Sequence, residues 1–388
     1  MTNNVVLKGK FLWDALREEA LPDEAILIED GLIKAVGSVH EIESYPHDQV
    51  LDCPDATLMP GLIDSHTHLS MDPTLENYLD RMSDTVTELT LRATAMMQKD
   101  LYAGITTCRC LGDKELLDIA CRRAVEAGQI QGPRLQVATR GIRAPHGHGF
   151  VGYPFDGKEQ IRMAIRGNVK AGADLIKIYI TGTLKGDGDL PSFLTREEIH
   201  AAIEESHKLG KRVASHCVGG VGLDWALELG LDTLEHAYHI TDSQIEHLSQ
   251  SDTWLVLTPG PILTDSRVQH LPANLIPGHQ REKNEIFERM AATISAGIPF
   301  AVGTDGMHGE LAQEIQYLVN MGASPHIALT AGTLNGAKIC GIENLTGSLE
   351  VGKQADIIAV EGNPIEDLSA LKRVKAVMKQ GEMIFINE

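Results

Sequence analysis

His66 and His68 close the run Leu58-Met-Pro-Gly-Leu-Ile-Asp-Ser-His-Thr-His68. Alternate residues of a strand point the same way, so His-x-His at the end of an apolar strand aims two imidazoles at one point. Imidazole suits divalent cations of borderline softness, zinc above all, with manganese, cobalt and iron also admitted. Further along, Lys177 lies inside Leu-Ile-Lys-Ile-Tyr-Ile180, His216 ends Arg-Val-Ala-Ser-His, His236 ends Asp-Thr-Leu-Glu-His, and Asp305 ends Phe-Ala-Val-Gly-Thr-Asp. Each closes or interrupts a short β-like run. Singly, each has a plain explanation: polar surface for His-x-His, a hydrogen-bonded core imidazole for His216 or His236, a helix cap for Asp305. One shared metal site accounts for all of them at once.

Lys177 is the unusual member. An alternating strand puts Leu175 and Tyr179 on its face and Ile176, Ile178 and Ile180 on the other. Burial disfavours the ammonium and lowers its pKa, and a neutral amine is a nucleophile. Beside metal ions it can take up carbon dioxide as a carbamate, an anionic two-oxygen ligand able to bridge two cations. The alternative is an ion pair with Asp305 or another carboxylate.

The elements that must position these residues follow from periodicity. β-like runs at 58–63, 106–110, 135–139, 175–180, 212–216, 233–236, 254–258 and 299–304 alternate with helical runs, the pattern of a parallel sheet covered by helices. Thr195-Arg-Glu-Glu198 and Thr241-Asp-Ser-Gln244 read as capping boxes that open two of those helices. Eight such units predict an α/β fold, a (β/α)8 TIM barrel, in which the C-terminal strand ends share one mouth. No Gly-x-Gly-x-x-Gly follows a strand, which speaks against an open dinucleotide-binding sheet. Both chain ends read as short strands with turns, including an Asp30-Gly31 hairpin. They predict a small composite β-sandwich domain from residues 1–57 and 347–388 around a catalytic barrel at 58–346.

Bulk properties narrow the partners. A length of 388 residues is enough for one large domain and a smaller one, and the 43% hydrophobic and 23% charged content is that of a globular α/β chain. No apolar run approaches the roughly 18 residues of a membrane span. A formal net charge of -20 disfavours nucleic acid. Cys53, Cys108, Cys110, Cys121, Cys217 and Cys340 form no Cys-x-x-Cys pair, and the N-terminus lacks the apolar core of a secretory signal, so a cytoplasmic setting is expected.

With these residues in place, the chain resembles the amidohydrolase superfamily of metal-dependent hydrolases. Met59-Pro-Gly-Leu-Ile-Asp-Ser-His66 and Gly347-Ser-Leu-Glu-Val-Gly-Lys-Gln-Ala-Asp356 carry the likeness at the two ends. Ala103-Gly-Ile-Thr-Thr107, Pro145-His-Gly-His-Gly149 and Leu234-Glu-His236 place it nearest the prolidase-like and imidazolonepropionase-like group. The resemblance implies two divalent ions, the first held by His66, His68, carboxylated Lys177 and Asp305, the second by Lys177, His216 and His236. It also implies hydrolysis of a carbon–nitrogen bond, amide or peptide, by a metal-bridging hydroxide, with Asp305 as general base and then acid. His148 and His146, beyond strand three, are candidates to stabilise the oxyanion. Dipeptides and N-acyl amino acids are the expected small-molecule substrates, and Arg109, Arg140, Arg143 and Tyr238 the candidates to bind them. A homo-oligomer is compatible with the resemblance.

Two alternatives stay open at this point. One is a mononuclear deaminase or cyclic amide (imidazolone-type) hydrolase on the same barrel. Such relatives carry a glutamate soon after the strand-five histidine, whereas His216 is followed by Cys-Val-Gly-Gly-Val-Gly and no carboxylate until Asp224. The other is a non-catalytic barrel used for binding. The segment 258–278 reads as a long connection that could form a lid over the pocket.

Overall fold

The computed structural model describes residues 4–149, 151–186 and 188–387. Residues 1–3 and Glu388, the outermost positions of the expected terminal domain, lie outside the described residues.

Eight parallel strands alternate with helices in a TIM-barrel type fold. Leu62–Thr67, Ile105–Cys110 and Arg134–Val137 pair side by side. Ile176–Tyr179, Val213–Cys217, Thr233–His236, Trp254–Leu257 and Phe300–Val302 follow in a second parallel set. Backbone hydrogen bonds link the two sets at both junctions, from Asp174 N–H to the Val137 carbonyl (2.9 Å) and from Asp305 N–H to the His66 carbonyl (2.7 Å). The expected alternation holds on the fourth strand. Ile176, Ile178 and Ile180 pack into the large core shared with the helices, while Leu175 joins Leu111, Ala138 and Ala214 in a separate cluster. Apolar stripes at helical spacing seal that large core, with Leu89, Ala93, Met97 and Leu101 on Val86–Tyr102 and Ile199, Ala202 and Ile203 on Arg196–Lys208. Both predicted capping boxes form, at Thr195 with Glu198 and at Thr241 with Gln244.

The chain ends meet in one eight-stranded sheet, ordered Glu382–Ile386, Val374–Lys379, Ile357–Glu361, Gln49–Pro60, Asn4–Leu12, Glu24–Glu29 and Leu32–Ser38, with Leu21–Pro22 beside Asn4–Leu12. The Asp30-Gly31 hairpin is present, and both residues take the positive φ that its tight turn requires (50° and 81°).

One expectation needs correcting, and two features add to the reading. The run 58–63 is not one barrel strand. It splits at Gly61, so that Gln49–Pro60 belongs to the terminal sheet and the first barrel strand is Leu62–Thr67. The short pieces Ile142–Arg143 and Tyr153–Pro154, absent from the sequence reading, extend the sheet beside Ile176–Tyr179. The long connection after strand seven folds in part as Gly260–Leu263 and Asp265–Val268 before the long helix Ile276–Ser295. Among the described residues no helix is long and apolar enough to cross a membrane.

Candidate metal centre and active site

Among the described residues, one group of three metal-type side chains has its ligand atoms within 4.8 Å of one another: His66, His68 and Asp305. Each imidazole is pinned from behind. His66 Nδ1 donates to Glu235 (2.8 Å) and His68 Nδ1 donates to the Gly112 carbonyl (2.7 Å). Their Nε2 atoms therefore turn toward Asp305, each 3.4 Å from Oδ1. Two imidazole nitrogens against one carboxylate oxygen are stable with shared protons or with a cation between them. Charge-assisted bonds run about 2.7–2.9 Å, and His66 Nε2 is buried without a hydrogen bond. The spacing fits a cation, and oriented imidazoles backed by acceptors are the arrangement that metal ligands need.

The other predicted ligand histidines lie beside this group. The His236 ring lies 4.7 Å from that of His66 and 4.4 Å from that of His216, centroid to centroid. His236 Nδ1 is held by Thr258 Oγ1 (2.7 Å). Lys177 Nζ is buried with no hydrogen bond, 5.1 Å from the Tyr179 ring centre. Burial lowers its pKa to about 8, although the charges of Glu235 and Asp305 pull the other way. The amine is thus partly neutral near pH 8, the state able to react with carbon dioxide. Burial also holds His216 and His236 well below the usual imidazole range, so both are neutral and able to ligate.

Strand ends explain how distant residues converge, with one local departure. His236 and Asp305 carry positive φ angles of 79° and 48°, sparsely populated for residues with a Cβ. At His236 the twist lets adjacent residues serve one site, because Glu235 also reaches inward to His66. Gly303 lets strands one and eight approach closely, since a Cβ there would lie 2.4 Å from the His66 nitrogen.

A cavity of about 330 Å³ opens over this centre, lined by His68, His148, His216, His236, Tyr238 and Asp305 together with apolar residues such as Met71, Leu79, Val151 and Leu271. Of the two loop histidines, His148 faces the cluster, its ring 4.4 Å from that of His216 and its Nε2 3.3 Å from Thr183 Oγ1. Burial lowers its pKa to about 4. His146 turns outward instead and packs edge-on against Phe193 (5.5 Å). Tyr238 lines the cavity, its hydroxyl donating to the Thr258 carbonyl (2.8 Å).

The three candidate substrate arginines do not reach the cavity. Arg109 is buried beneath the centre, donating to Glu235 (3.1 Å), the Ser65 carbonyl (3.1 Å) and Thr233 Oγ1 (2.7 Å). Its interior-facing strand position makes it the counter-ion of Glu235, whose carboxyl is lowered because Arg109 and His66 outweigh the cost of burial. Arg140 lies over the Tyr153 ring and 3.7 Å from Glu115. Arg143 clasps its own loop through the carbonyls of Ala144, Pro145, Gly147 and Gly152. The cavity's arginine is Arg267, from the connection after strand seven, which the sequence reading did not single out. Glu235 was also missed as a participant, although it stands inside the Leu234-Glu-His236 motif.

Comparison with known proteins identifies the family. The chain is 28% identical to ochratoxinase of Aspergillus niger over 396 residues, covering 92% of this chain and 82% of that protein. It is 26% identical to imidazolonepropionase of Symbiobacterium thermophilum over 392 residues, covering 90% and 86%. The crystal structure of a Xaa-Pro dipeptidase with methionine bound in its active site superposes with a TM-score of 0.87 at 26% identity, covering 99% of this chain and 100% of that one. The amidohydrolase family profile matches residues 57–384. The non-catalytic alternative is thereby set aside: the chain belongs to the amidohydrolase family and is a hydrolytic enzyme acting on carbon–nitrogen bonds.

Proposed function

We propose that this enzyme is a binuclear metal-dependent hydrolase that cleaves the amide or peptide bond of a small substrate, a dipeptide or an N-acyl amino acid. The observation that carries the reading is the convergence of His66 Nε2 and His68 Nε2 on Asp305 Oδ1, with both Nδ1 atoms already engaged. His66, His68, Lys177 and Asp305 would hold one divalent ion, and Lys177, His216 and His236 the other, with zinc the best match to the donor set. The buried, unpartnered Lys177 amine supports its conversion to a carbamate. When bound, such ions supply Lewis acidity and lower the pKa of water toward neutrality.

The chain's own residues then have defined tasks. Asp305, ionised and at the cavity edge, accepts the proton of the attacking water on a carboxylate oxygen and returns it to the leaving nitrogen. His148 is neutral and keeps one ring N–H, which donates to the carbonyl oxygen as negative charge builds there. Glu235 and Thr258 keep the His66 and His236 rings in register. The turns at Gly260–Leu263 and Asp265–Val268 close one side of the cavity against water. On this reading the eight parallel strands, from Leu62–Thr67 to Phe300–Val302, form one closed ring, and the strands before and after the barrel form a β-sandwich domain beside it. The six unpaired cysteines suit a cytoplasmic setting.

A mononuclear cyclic amide hydrolase is the second reading, favoured by the relative named imidazolonepropionase and by the first triad gathering more tightly than the other ligands. Metal counting separates the two. The zinc-loaded protein should hold about two ions per chain and gain the mass of carbon dioxide at Lys177, whereas one ion with an unmodified Lys177 would establish the mononuclear reading. Screening dipeptides, N-acyl amino acids and cyclic amides identifies the substrate. Asp305→Asn should keep the thermal transition while kcat/KM falls by roughly 10²–10⁴-fold, the usual share of a general base. Turnover equal to that of the unsubstituted enzyme would remove Asp305 from the mechanism.

A further inference from the structure

The segment 182–186, which follows the fourth strand, carries Thr183 and Leu184 into the cavity wall. Its own backbone does little to keep it there. Among the described residues, no backbone group of 182–186 bonds to another backbone group. Consecutive N–H groups instead meet one carboxylate on a different element. Glu282, on the helix Ile276–Ser295, accepts from Lys185 N–H on Oε2 (2.8 Å) and from Gly186 N–H on Oε1 (3.1 Å). Leu184 leans on the same helix beside Gly278, where a Cβ would lie 2.9 Å from its Cδ1.

Glu282 is only 5% exposed, so its charge must be met by partners. Burial would raise its pKa, but the Lys185 N–H, the Arg281 guanidinium (2.9 Å) and the Gly186 N–H hold the carboxyl below its usual range. His239 Nε2 lies 3.1 Å from Glu282 Oε2, and the His239 N–H donates to the Val218 carbonyl (2.7 Å). The chain beyond strands five and six is thus tied to the same carboxylate. Hydrogen bonds to an ionised acceptor are roughly twice as strong as neutral ones, which suits Glu282 to hold a segment that cannot hold itself.

What the segment reaches is His148. Thr183 Oγ1 lies 3.3 Å from His148 Nε2. A partner at one ring nitrogen sets which nitrogen carries the proton and which way the ring faces. We propose that Glu282 is a positioning residue: it clasps the segment 182–186 to the helix Ile276–Ser295 and, through Thr183, holds the His148 ring toward the reacting carbonyl. The role of His148 rests on the amide-hydrolase reading above, while the clasp is independent of it.

The test is timed trypsin digestion of the zinc-loaded protein, followed by mass at the Lys185–Gly186 bond, whose own N–H is one that Glu282 accepts. Each hydrogen bond to a charged acceptor corresponds to roughly 10- to 100-fold in the open fraction, and cleavage follows that fraction when opening is fast. In Glu282→Ala this cut should come at least about 10-fold faster than in the parent, while cuts elsewhere keep their rates. Glu282→Gln retains one acceptor oxygen and should fall between. The second readout is the 15N resonance of His148 Nε2 in protein labelled at histidine, assigned with His148→Gln. Thr183→Val removes the hydroxyl and sets the direction of change, and Glu282→Ala should move the resonance the same way. An unchanged cutting rate at Lys185, or an unmoved His148 resonance, in Glu282→Ala overturns the proposal. Should that variant fail to fold, Glu282→Gln is judged by the same two measures. Neither measure uses a substrate, so a protein that cleaves no amide would count against the proposed reaction alone.

Discussion

Glu235 and His236 are neighbours in sequence, and an ideal strand would send them to opposite faces. The positive φ of His236 cancels that alternation, so one residue faces the cavity while the other braces His66 from beneath. Glu235 also neutralises Arg109, and its loss would leave a guanidinium buried without its counter-ion. Glu235→Gln should therefore weaken metal binding by about 10- to 100-fold, as loss of a group that orients a metal ligand does. Competition against a chelator measures this, and an unchanged affinity would show that His66 needs no brace. The gathering of His66, His68 and Asp305 was legible in the sequence because each lies at or just beyond the end of a strand, and strand ends of one barrel share a mouth. Glu235 was not, since strand parity argued against it. Nor did proximity to a strand end reveal that Arg109 points into the barrel interior or that Arg143 closes on its own loop.

Where elements meet, buried carboxylates act as clasps. Asp64 on the first barrel strand accepts from the backbone N–H of Thr304 (3.0 Å), its hydroxyl (2.6 Å) and the His66 N–H (3.1 Å), joining strand one to strand eight at the site of Asp305. Asp118 does the same for the helix Leu117–Glu126, accepting from Thr139 N–H at the end of the third strand (2.8 Å). Burial, aided by the charge of Asp113, raises its pKa to about 7. An unfolded aspartate titrates near 4, so between about pH 4 and 7 the folded chain holds a proton that the unfolded chain has released. Stability from this group therefore falls as pH rises through that window, with the full penalty above it. Asp118→Asn cannot ionise, so its melting temperature relative to the parent enzyme should climb from pH 4 to pH 8. A pH-independent difference would mean that Asp118 titrates normally. Hairpins and capping boxes were readable because a few adjacent residues determine them. The break at Gly61 and the added strand Ile142–Arg143 were not, because both depend on partners far along the chain.

Across the whole molecule, the terminal sheet is fastened to the barrel by Arg134 on the third strand, which donates to the fully buried Asp356 (2.8 Å) and also to Thr107 (2.8 Å). Breaking a buried pair from one side strands the other charge, so Arg134→Met should cost about 3 kcal/mol in urea unfolding. A cost below 1 kcal/mol would mean that the sheet docks by apolar contact alone. That both ends contribute strands was foreseeable from their composition, but their interleaving was not. The strand Gln49–Pro60 lies between Ile357–Glu361 and Asn4–Leu12, then runs straight into the segment bearing His66 and His68. Neither portion can be exchanged as a module: transplanting the barrel onto a foreign scaffold would cut the sheet at its middle strand, leaving two raw edges open to pairing with other chains.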